Sequence, residues 1–428
     1  MKTKLKLEEK LNKIMPAKRL QLLSAFLILF SFAVFIIWSL KEPGYKFANI
    51  FFWRPFDRAD TFMDFYNSVY DTMYGPYEHD VIYPPLCCLI FKFFGSLIPG
   101  TSFLKPWAAR GGFRIRGYQE IQFSLLLFFL FFIILFIGAM QKPLYKRGYF
   151  EKMGITMAMM LSTPVLFAFE RGNIILYSFV FLLLYFICYD DEREWLREVG
   201  YICLALSAAI KLYPAIFGLL LIRDKRIKEA VRTIIYGIVF TVGPFVFFGG
   251  INAITSMLGA IGKFKATENY GISFSNGVSF ILLGSTGYHR WLTFAGMVAA
   301  ACLIISFFLA DKKPENRWKL SALLSLSMLG LVENCGKYMI IFAIIPWLFF
   351  FKEDRKLKII DYVYALMLTV MLAPFPAGIF HELREYYDRN TMIICWTAII
   401  MSVVLMADIL TTFIRTHKKE NKAEISAS

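Results

Sequence analysis

The sequence predicts an all-α protein that crosses a membrane many times, and three observations predict this fold class. Apolar residues make up 58% of the chain and aromatic residues 18%, which is more apolar surface than a water-soluble domain of this length needs. Apolar runs recur along the whole chain, and short clusters of Lys and Arg separate them. We therefore expect the net charge of +15 to act as a topology signal and to attract anionic membrane lipids, not nucleic acid.

The first predicted membrane span is the apolar run Leu20–Leu40. It is longer than a signal-peptide core, and no small-residue cleavage site follows it. Seven basic residues precede it: Lys2, Lys4, Lys6, Lys10, Lys13, Lys18 and Arg19. We therefore expect a retained span whose basic end lies in the cytoplasm.

Eleven further apolar runs predict the remaining spans. They lie near 119–140, 154–169, 174–189, 198–210, 212–222, 231–250, 290–310, 319–332, 338–351, 358–377 and 391–413. The connectors between some of them are basic, namely 141–153, 223–232, 311–319 and 352–358, as is the tail 414–428. Because cytoplasmic loops carry the excess of Lys and Arg, about twelve spans place all of these segments and both termini inside the cell. The acid-rich connector 190–198 does not help this assignment.

The predicted first outer loop, residues 41–118, contains a polar segment in which acidic and aromatic residues alternate, Asp57–Leu86. The run from Pro84 to Pro99 is short, begins with two prolines and carries Lys92 in its middle. These features favour an amphipathic helix that lies in the membrane interface. The alternative, a second true span, would move every later connector to the other side of the membrane.

Four carboxylates of this loop, Asp57, Asp60, Asp64 and Asp71, are candidate general bases. If residues 60–72 form a helix, the last three share one face, at spacings of four and seven residues. A carboxylate that is partly desolvated near a bilayer can take the proton of an acceptor hydroxyl. The alternative is a solvated acidic loop.

Basic residues stand at two turns between apolar runs. Arg171 lies in Glu170-Arg171-Gly172-Asn173, and Lys211 lies in an otherwise uncharged stretch that ends with Tyr213-Pro214. Ionisable groups at such places are costly and mark candidate sites. A phosphate is their natural counter-ion, although each side chain can also reach the interface as an ordinary turn residue. Glu333 and Lys337, four residues apart, are candidates for substrate contact or for pairing with each other.

Other kinds of chemistry have no support in the sequence. The four His residues, 79, 289, 381 and 417, have no His or Cys partner at ligand spacing, so we predict no transition-metal site. No Gly-rich phosphate loop, hydrolase elbow or kinase signature is present. We therefore predict no cofactor and no nucleotide-driven transport.

Several short motifs, taken in their order and spacing, resemble the family-87 membrane glycosyltransferases. Three of them lie in the first outer loop: Asp64-Phe65-Tyr66, Gly75-Pro76-Tyr77-Glu78 and Tyr83-Pro84-Pro85-Leu86. The later ones are Arg171-Gly172-Asn173, Lys211-Leu212-Tyr213-Pro214 and, more loosely, Ser275-Asn276-Gly277-Val278-Ser279. The resemblance covers most of the chain, so we treat residues 1–428 as a single domain.

The resemblance implies a GT-C fold, a helical bundle with interfacial helices in its first outer loop. It also implies that a hexose, mannose-like, moves with inversion from a polyprenyl-phosphate donor to a lipid or envelope-glycan acceptor at the outer face of the cell membrane, without a metal. The family's base corresponds to Asp64, with Asp60 as the second choice. The positions near the donor phosphate correspond to Arg171 and Lys211.

The predicted substrate contacts are Tyr66, Tyr83, Asn173, Tyr213, Asn276, Glu333 and Lys337. One departure concerns the last two, because many members of the family carry Ser-Pro and His where this chain has Glu333–Tyr338. The alternative function is a polytopic transporter or a lipid or glycolipid flippase. A transporter usually keeps its ionisable residues near the midplane and shows paired repeats, whereas here these residues gather at one predicted face.

Overall fold

The computed structural model describes residues 2–41, 61–73, 75–78, 81–97, 112, 115–263, 273–283, 290–311, 313–332, 336–351, 356–375 and 389–427. Within these ranges the secondary structure is α-helical, with short 3-10 helices and no β-strand. The predicted all-α class is therefore confirmed for the described part of the chain.

Eighteen α-helices lie within the described ranges, and we number them in chain order. The first nine are α1 Lys2–Ile14, α2 Ala17–Lys41, α3 Met63–Met73, α4 Pro85–Ser96, α5 Gln119–Gln141, α6 Tyr149–Met160, α7 Thr163–Arg171, α8 Ile175–Cys188 and α9 Glu194–Ile210. The others are α10 Leu219–Arg223, α11 Ile227–Val242, α12 Ile251–Lys263, α13 Phe274–Leu283, α14 Arg290–Leu309, α15 Arg317–Leu331, α16 Ile344–Phe350, α17 Ile359–Leu372 and α18 Arg389–Ala427. Six 3-10 helices lie between them: Pro76–Glu78, Ile115–Gly117, Tyr213–Gly218, Gly243–Phe248, Pro314–Asn316 and Lys337–Ala343.

Several of these helices suit a multi-pass membrane protein. Five stretches of the described chain are long and apolar enough to cross a bilayer: Ala17–Ile37, Gln119–Gln141, Ile227–Phe248, Arg290–Leu309 and Thr391–Lys418. A sixth is added if α6 and α7 form one broken span. Each of the twelve predicted runs contains a helix, but several are shorter than the roughly 20 residues of a perpendicular span. The number of twelve spans stays a prediction.

The helices pack as two compact units. The first unit combines Met1–Trp38, Arg147–Pro164 and Glu268–Ser428, and the second combines Ser39–Lys146 and Val165–Thr267. The predicted residues Asp64, Arg171 and Lys211 belong to the second unit. The prediction of one domain over residues 1–428 stays a prediction.

In the second unit, α8 and α9 form a hairpin that packs on α5. Ser178 and Ser207 join the two arms, because each hydroxyl donates to the other residue's carbonyl, at 3.0 and 2.7 Å. The hydroxyl of Tyr177 donates to the carbonyl of Phe128 on α5 at 2.7 Å. Polar groups at bilayer depth need such internal partners, since lipid offers none.

Two helices of the predicted outer loop, α3 and α4, rest on α5 through aromatic rings. The ring of Phe128 lies 5.2 Å from that of Phe65 on α3 and 5.3 Å from that of Phe94 on α4. Ring pairs at such distances each contribute about 0.5–1.5 kcal/mol beyond their buried area. With 12 residues, α4 is roughly 18 Å long, too short to cross a bilayer, and it has one buried face. A short helix with one buried face is thus present after Pro84, and its amphipathic, interfacial character stays a prediction.

The acid-rich connector 190–198 follows the C-terminal end of α8, and it forms ion pairs with basic neighbours. Lys142 contacts Asp191 at 2.7 Å and Arg193 contacts the same carboxylate at 3.0 Å. Arg226 also contacts Asp190 at 3.2 Å. Hydrogen bonds from Arg193 and then from Lys142 hold the pKa of Asp191 well below its usual range. We call this the connector end of the second unit.

The first unit is held by close helix contacts and a polar bridge. A Cβ on Gly330 of α15 would lie 2.4 Å from the carbonyl oxygen of Gly296 on α14, so these helices meet where neither has a side chain. The hydroxyl groups of Ser24 and Thr369 are 2.6 Å apart, and Trp347 donates to Ser24 at 2.8 Å. These bonds join α2, α16 and α17.

Candidate functional site

The site begins with the way α7 ends. Gly172 follows the helix with a φ of +63°, in the left-handed region that favours glycine. Its N–H donates to the carbonyl of Phe169 at 2.9 Å, and the N–H of Asn173 donates to the carbonyl of Ala168 at 2.9 Å. This is the Schellman arrangement that closes a helix C-terminus. It leaves Arg171 and Asn173 on either side of one glycine with a fixed backbone.

The side chains of Arg171 and Asn173 both donate hydrogen bonds to the carboxylate of Asp64 on α3. Arg171 donates to Oδ1 through Nη2 at 2.6 Å and through Nε at 3.1 Å. Asn173 donates to Oδ2 at 2.7 Å, while its own Oδ1 accepts the N–H of Ile175 at 3.0 Å, at the start of α8. The side chains of Arg171 and Asp64 are only 12% and 18% exposed. The carboxylate is therefore fixed by two residues that a helix cap holds in place.

The backbone of α3 is docked to the same cap. The N–H of Phe62 donates to the carbonyl of Glu170 at 2.7 Å. A Cβ on Gly172 would lie 2.7 Å from the Cβ of Phe65, so α3 approaches closely only because residue 172 is glycine. On its other side, Asn67 accepts the N–H of Gly112 at 2.7 Å. A Cβ on Gly112 would lie 2.4 Å from the backbone of Tyr66.

The remaining hydrogen-bonding capacity of Asp64 defines what it can do chemically. A carboxylate offers about four lone-pair positions. Three donors occupy this one, two of them on Oδ1 and one on Oδ2. One position on Oδ2 remains, on a side chain that is still partly exposed. The arrangement can accept one further proton or hydroxyl at a defined atom.

Lys211 stands at a break between helices in the same unit. It follows the last residue of α9, has an extended backbone and precedes the 3-10 helix Tyr213–Gly218. Its Nζ lies 4.3 Å from the centre of the Tyr83 ring, close enough for a cation–π contact. The hydroxyl of Tyr77 donates to the carbonyl of Tyr83 at 3.0 Å. The beginning of α4 is thereby joined to the end of α9.

Leu212, the residue after Lys211, lines an apolar groove of about 420 Å³. The groove lies between α9, the segment 213–223 and α11, and it runs from Leu212 to Ile222. Small residues open it, namely Ala205, Ala208, Ala215, Gly218 and Gly237. Its walls are almost entirely apolar, so it suits a hydrocarbon chain.

The other predicted site residues are dispersed. Tyr66 is buried on α3, and burial raises its pKa while the charge of Arg116 lowers it. Tyr213 follows Lys211 at one turn, beside the groove. Asn276 and Lys337 are buried in the first unit, at 1% and 7% exposure. Asp60 and Glu333 lie outside the described residues, as does Asp57.

The structure thus brings together Asp64, Arg171 and Asn173, and separately Lys211 and Tyr83. Sequence reasoning missed Asn67 and Gly112, which anchor α3 from its second side. Their only sequence signals were an amide within the acidic motif and a glycine pair at 111–112. Neither signal indicates that the two residues meet.

Comparison with known proteins places the chain in a family. No curated protein matches the sequence. The profile of glycosyltransferase family 87 matches residues 82–332, which is more than half of the chain. The matched range includes Tyr83, Arg171, Asn173 and Lys211, whereas Asp64 precedes it. The chain therefore belongs to glycosyltransferase family 87, and it is a membrane glycosyltransferase.

Proposed function

We propose that this protein transfers a mannose-like hexose, with inversion, from a polyprenyl-phosphate donor to a lipid or envelope-glycan acceptor. The reaction takes place at the outer face of the cell membrane, and both termini are cytoplasmic. The observation that carries the proposal is the Asp64 carboxylate, which Arg171 and Asn173 fix while one lone-pair position stays open. Such a group suits a general base that must be held in one orientation.

In the proposed step, Oδ2 of Asp64 takes the proton of the acceptor hydroxyl. The acceptor oxygen attacks C1 of the sugar from the side opposite the phosphate, and the bond between C1 and the phosphate oxygen breaks. Its electron pair leaves with the polyprenyl phosphate. The configuration at C1 is inverted, and no covalent enzyme intermediate is needed.

Two cations assist the departing phosphate in this proposal. Arg171 touches Asp64 directly, so we assign it both the orientation of the base and part of the charge stabilisation. Lys211 directly precedes Leu212, which lines the apolar groove, and its point charge suits the phosphate whose charge grows as the bond breaks. Fixed donors that stabilise developing charge usually account for most of the rate acceleration in such reactions.

The groove beside Lys211 is the proposed place for the isoprenoid chain. Its volume of about 420 Å³ and its apolar walls fit part of a long hydrocarbon, whose remainder would lie in lipid. The ring of Tyr83 lies next to the ammonium group of Lys211, and Tyr213 follows Lys211 by two residues in the sequence. We propose that both tyrosines contact the donor sugar. For Asn173, which is fully buried, we propose that it acts on the substrate through Asp64.

Tyr66, Asn276, Glu333 and Lys337 stay proposed substrate contacts, and Asp60 stays the second candidate for the base. The alternative function, a transporter or flippase, is disfavoured by membership of a glycosyltransferase family. The two functions differ in their products, because only the enzyme forms a glycosidic bond.

The decisive experiment supplies the purified full chain with radiolabelled polyprenyl-phosphate hexoses and membrane lipid extract. We expect a labelled product with the wild type, and about 10²–10⁴-fold less with Asp64→Asn. Asp191→Asn is the matched control, because Asp191 is also a carboxylate held by an Arg, and it should retain transfer. Equal product from Asp64→Asn and wild type would refute the role of Asp64. Absence of transfer from every lipid-phosphate donor, together with uptake into vesicles, would establish the transporter instead.

A further inference from the structure

The first helix, α1, lies close to the level at which the chain enters the membrane. It ends at Ile14, and only Met15 and Pro16 separate it from α2, whose residues Ala17–Ile37 form a candidate span. With 13 residues and many lysines, α1 is itself too short and too polar to cross a bilayer. It therefore lies outside the candidate span that follows it.

Within the first unit, α1 is docked along the start of α17. The side chain of Asn12 forms a two-way pair with the backbone of Leu357, donating to its carbonyl at 2.6 Å and accepting its N–H at 2.7 Å. One turn earlier, Glu8 accepts the N–H of Ile359 at 3.4 Å. The hydroxyl of Tyr362 donates to the carbonyl of Met15 at 3.0 Å. Three contacts along one side keep the helix against the entrance of α17 and stop it from extending into solvent.

The opposite side of α1 combines exposed apolar and basic residues. Leu7 and Ile14 are 48% and 54% exposed, and a separation of seven residues places them on the same stripe of the helix. Lys10 lies between them, and Lys6 and Lys13 lie beside the stripe and are exposed. Glu8 is turned toward α17, and Glu9 lies nearly opposite Leu7 on the helix.

We infer that this face of α1, formed by Lys6, Leu7, Lys10, Lys13 and Ile14, binds the surface of an anionic phospholipid bilayer. Apolar side chains would enter the boundary between headgroups and acyl chains, while the lysine ammonium groups meet lipid phosphates. The charge of the face carries the choice of occupant, since its three lysines outnumber the one acidic side chain at its edge, Glu9. The face is independent of the proposed transfer reaction.

The test measures the depth of α1 with the full chain reconstituted in nanodiscs. A nitroxide is attached at Leu7→Cys or, as the matched control, at Glu9→Cys, in a background that carries Cys302→Ser and Cys335→Ser. In discs that contain phosphatidylglycerol, we expect the label at residue 7 to be several-fold less accessible to an aqueous nickel chelate than the label at residue 9. Equal accessibility of the two labels in these discs would overturn the inference.

A second variant separates the lipid contact from other ways of covering the same face. Changing Lys6, Lys10 and Lys13 to Gln keeps Leu7, Ile14 and the Asn12 contact. In the wild-type background, we expect the label at residue 7 to be better shielded from the nickel chelate in anionic discs than in pure phosphatidylcholine discs. We expect the triple Gln variant to lose this difference. Shielding that is unchanged in the variant, or already complete in detergent without lipid, would mean a protein occupant and would also overturn the inference.

Discussion

At each end of α8 an aspartate is paired with an arginine, but the two pairs differ in their exposure to solvent. At one end Asp64 is held by Arg171, and at the other end Asp191 is held by Arg193 and Lys142. The carboxylates themselves are similarly covered, with side chains that are 18% and 11% exposed. Their cations differ, because Arg171 is 12% exposed whereas Arg193 is 61% exposed. An ion pair alone therefore does not distinguish a reactive site from a solvated connector.

What distinguishes the two ends is how the donors are fixed. Arg193 lies two residues from Asp191 in a charged connector, and exposed pairs of this kind are screened by water and salt. Arg171 comes from 107 residues away and is set by a helix cap and a glycine. Asp191 also has a partner from a distant segment, Lys142, but that side chain is 50% exposed. The comparison teaches that a carboxylate whose partners are covered and fixed by the backbone is the better candidate for catalysis.

The largest expected effect comes from removing the fixed arginine. Arg171→Ala takes away two of the three donors to Asp64, and we expect sugar transfer to fall about 100-fold, as when a fixed electrostatic donor is lost. Arg171→Lys should recover only part of the rate, because an ammonium cannot make the paired contact of a guanidinium. Arg193→Ala should leave the rate within about twofold of the wild type. A similar loss from both alanine variants, measured with the same donor, would remove the distinction between the two ends.

The second effect concerns the glycines at each end. Gly172→Ala forces a φ of +63° on alanine and brings its Cβ to 2.7 Å from that of Phe65, which should cost about 1–3 kcal/mol of stability. It should also lower transfer, since α3 carries Asp64. At the connector end, a Cβ on Gly200 would lie 3.0 Å from the Cβ of Cys188, at an ordinary helical φ. Thermal unfolding and transfer rates are measured for Gly172→Ala and for the control Gly200→Ala. If both variants lost the same activity at the same stability, the link between Gly172 and the position of Asp64 would be contradicted.

Much of this arrangement follows from the sequence, and the part that does not has a physical reason. The short helix after Pro84 was predicted because its length, two prolines and a central lysine favour an interfacial helix over a second span. Arg171 was identified because charges beside apolar runs are costly, and Asp64 was one of four candidate carboxylates, made the first choice by the resemblance to family 87. Their contact was not predicted, because it depends on a helix cap that closes 107 residues after Asp64.

Two further cases show the same limit. That Asn173 contacts the substrate stays a prediction, whereas its hydrogen bonds to Asp64 and to the N–H of Ile175 were not predicted. The connector 190–198 gave no topological information as a sequence, because acids weigh little in that rule. Its ion pairs with Lys142 and Arg226 show that it lies beside the basic connectors 141–153 and 223–232. Pairings between distant segments are set by packing, which composition and spacing do not encode.

A smaller effect is expected from the lysine at the groove. Lys211→Met keeps the length of the side chain and removes the charge, and we expect the KM for the lipid-phosphate donor to rise about tenfold, the effect of roughly 1.4 kcal/mol of lost phosphate binding. Lys142→Met makes the same change at the connector end and should leave KM unaltered. Steady-state transfer with a short-chain and a long-chain donor measures both. A fall in kcat alone would mean that this lysine acts only on the departing phosphate, whereas unchanged KM and unchanged kcat for Lys211→Met would place it outside the donor site.

The smallest effect is a dependence of stability on pH at the connector end. Because Arg193 and Lys142 lower the pKa of Asp191, the folded state prefers the ionised carboxylate. This preference stabilises the protein above the ordinary pKa of Asp, about 3.9, and is lost as the pH falls through the lower pKa of the folded state. Asp191→Asn should therefore have a slightly lower Tm than the wild type at pH 7, and the gap should begin to narrow below about pH 4 and shrink further as the pH falls toward the lower pKa of the folded state. Thermal unfolding of both proteins in detergent between pH 7 and pH 3 measures this difference in Tm. A difference that widens on acidification would show that the pairs at this end do not stabilise the ionised carboxylate.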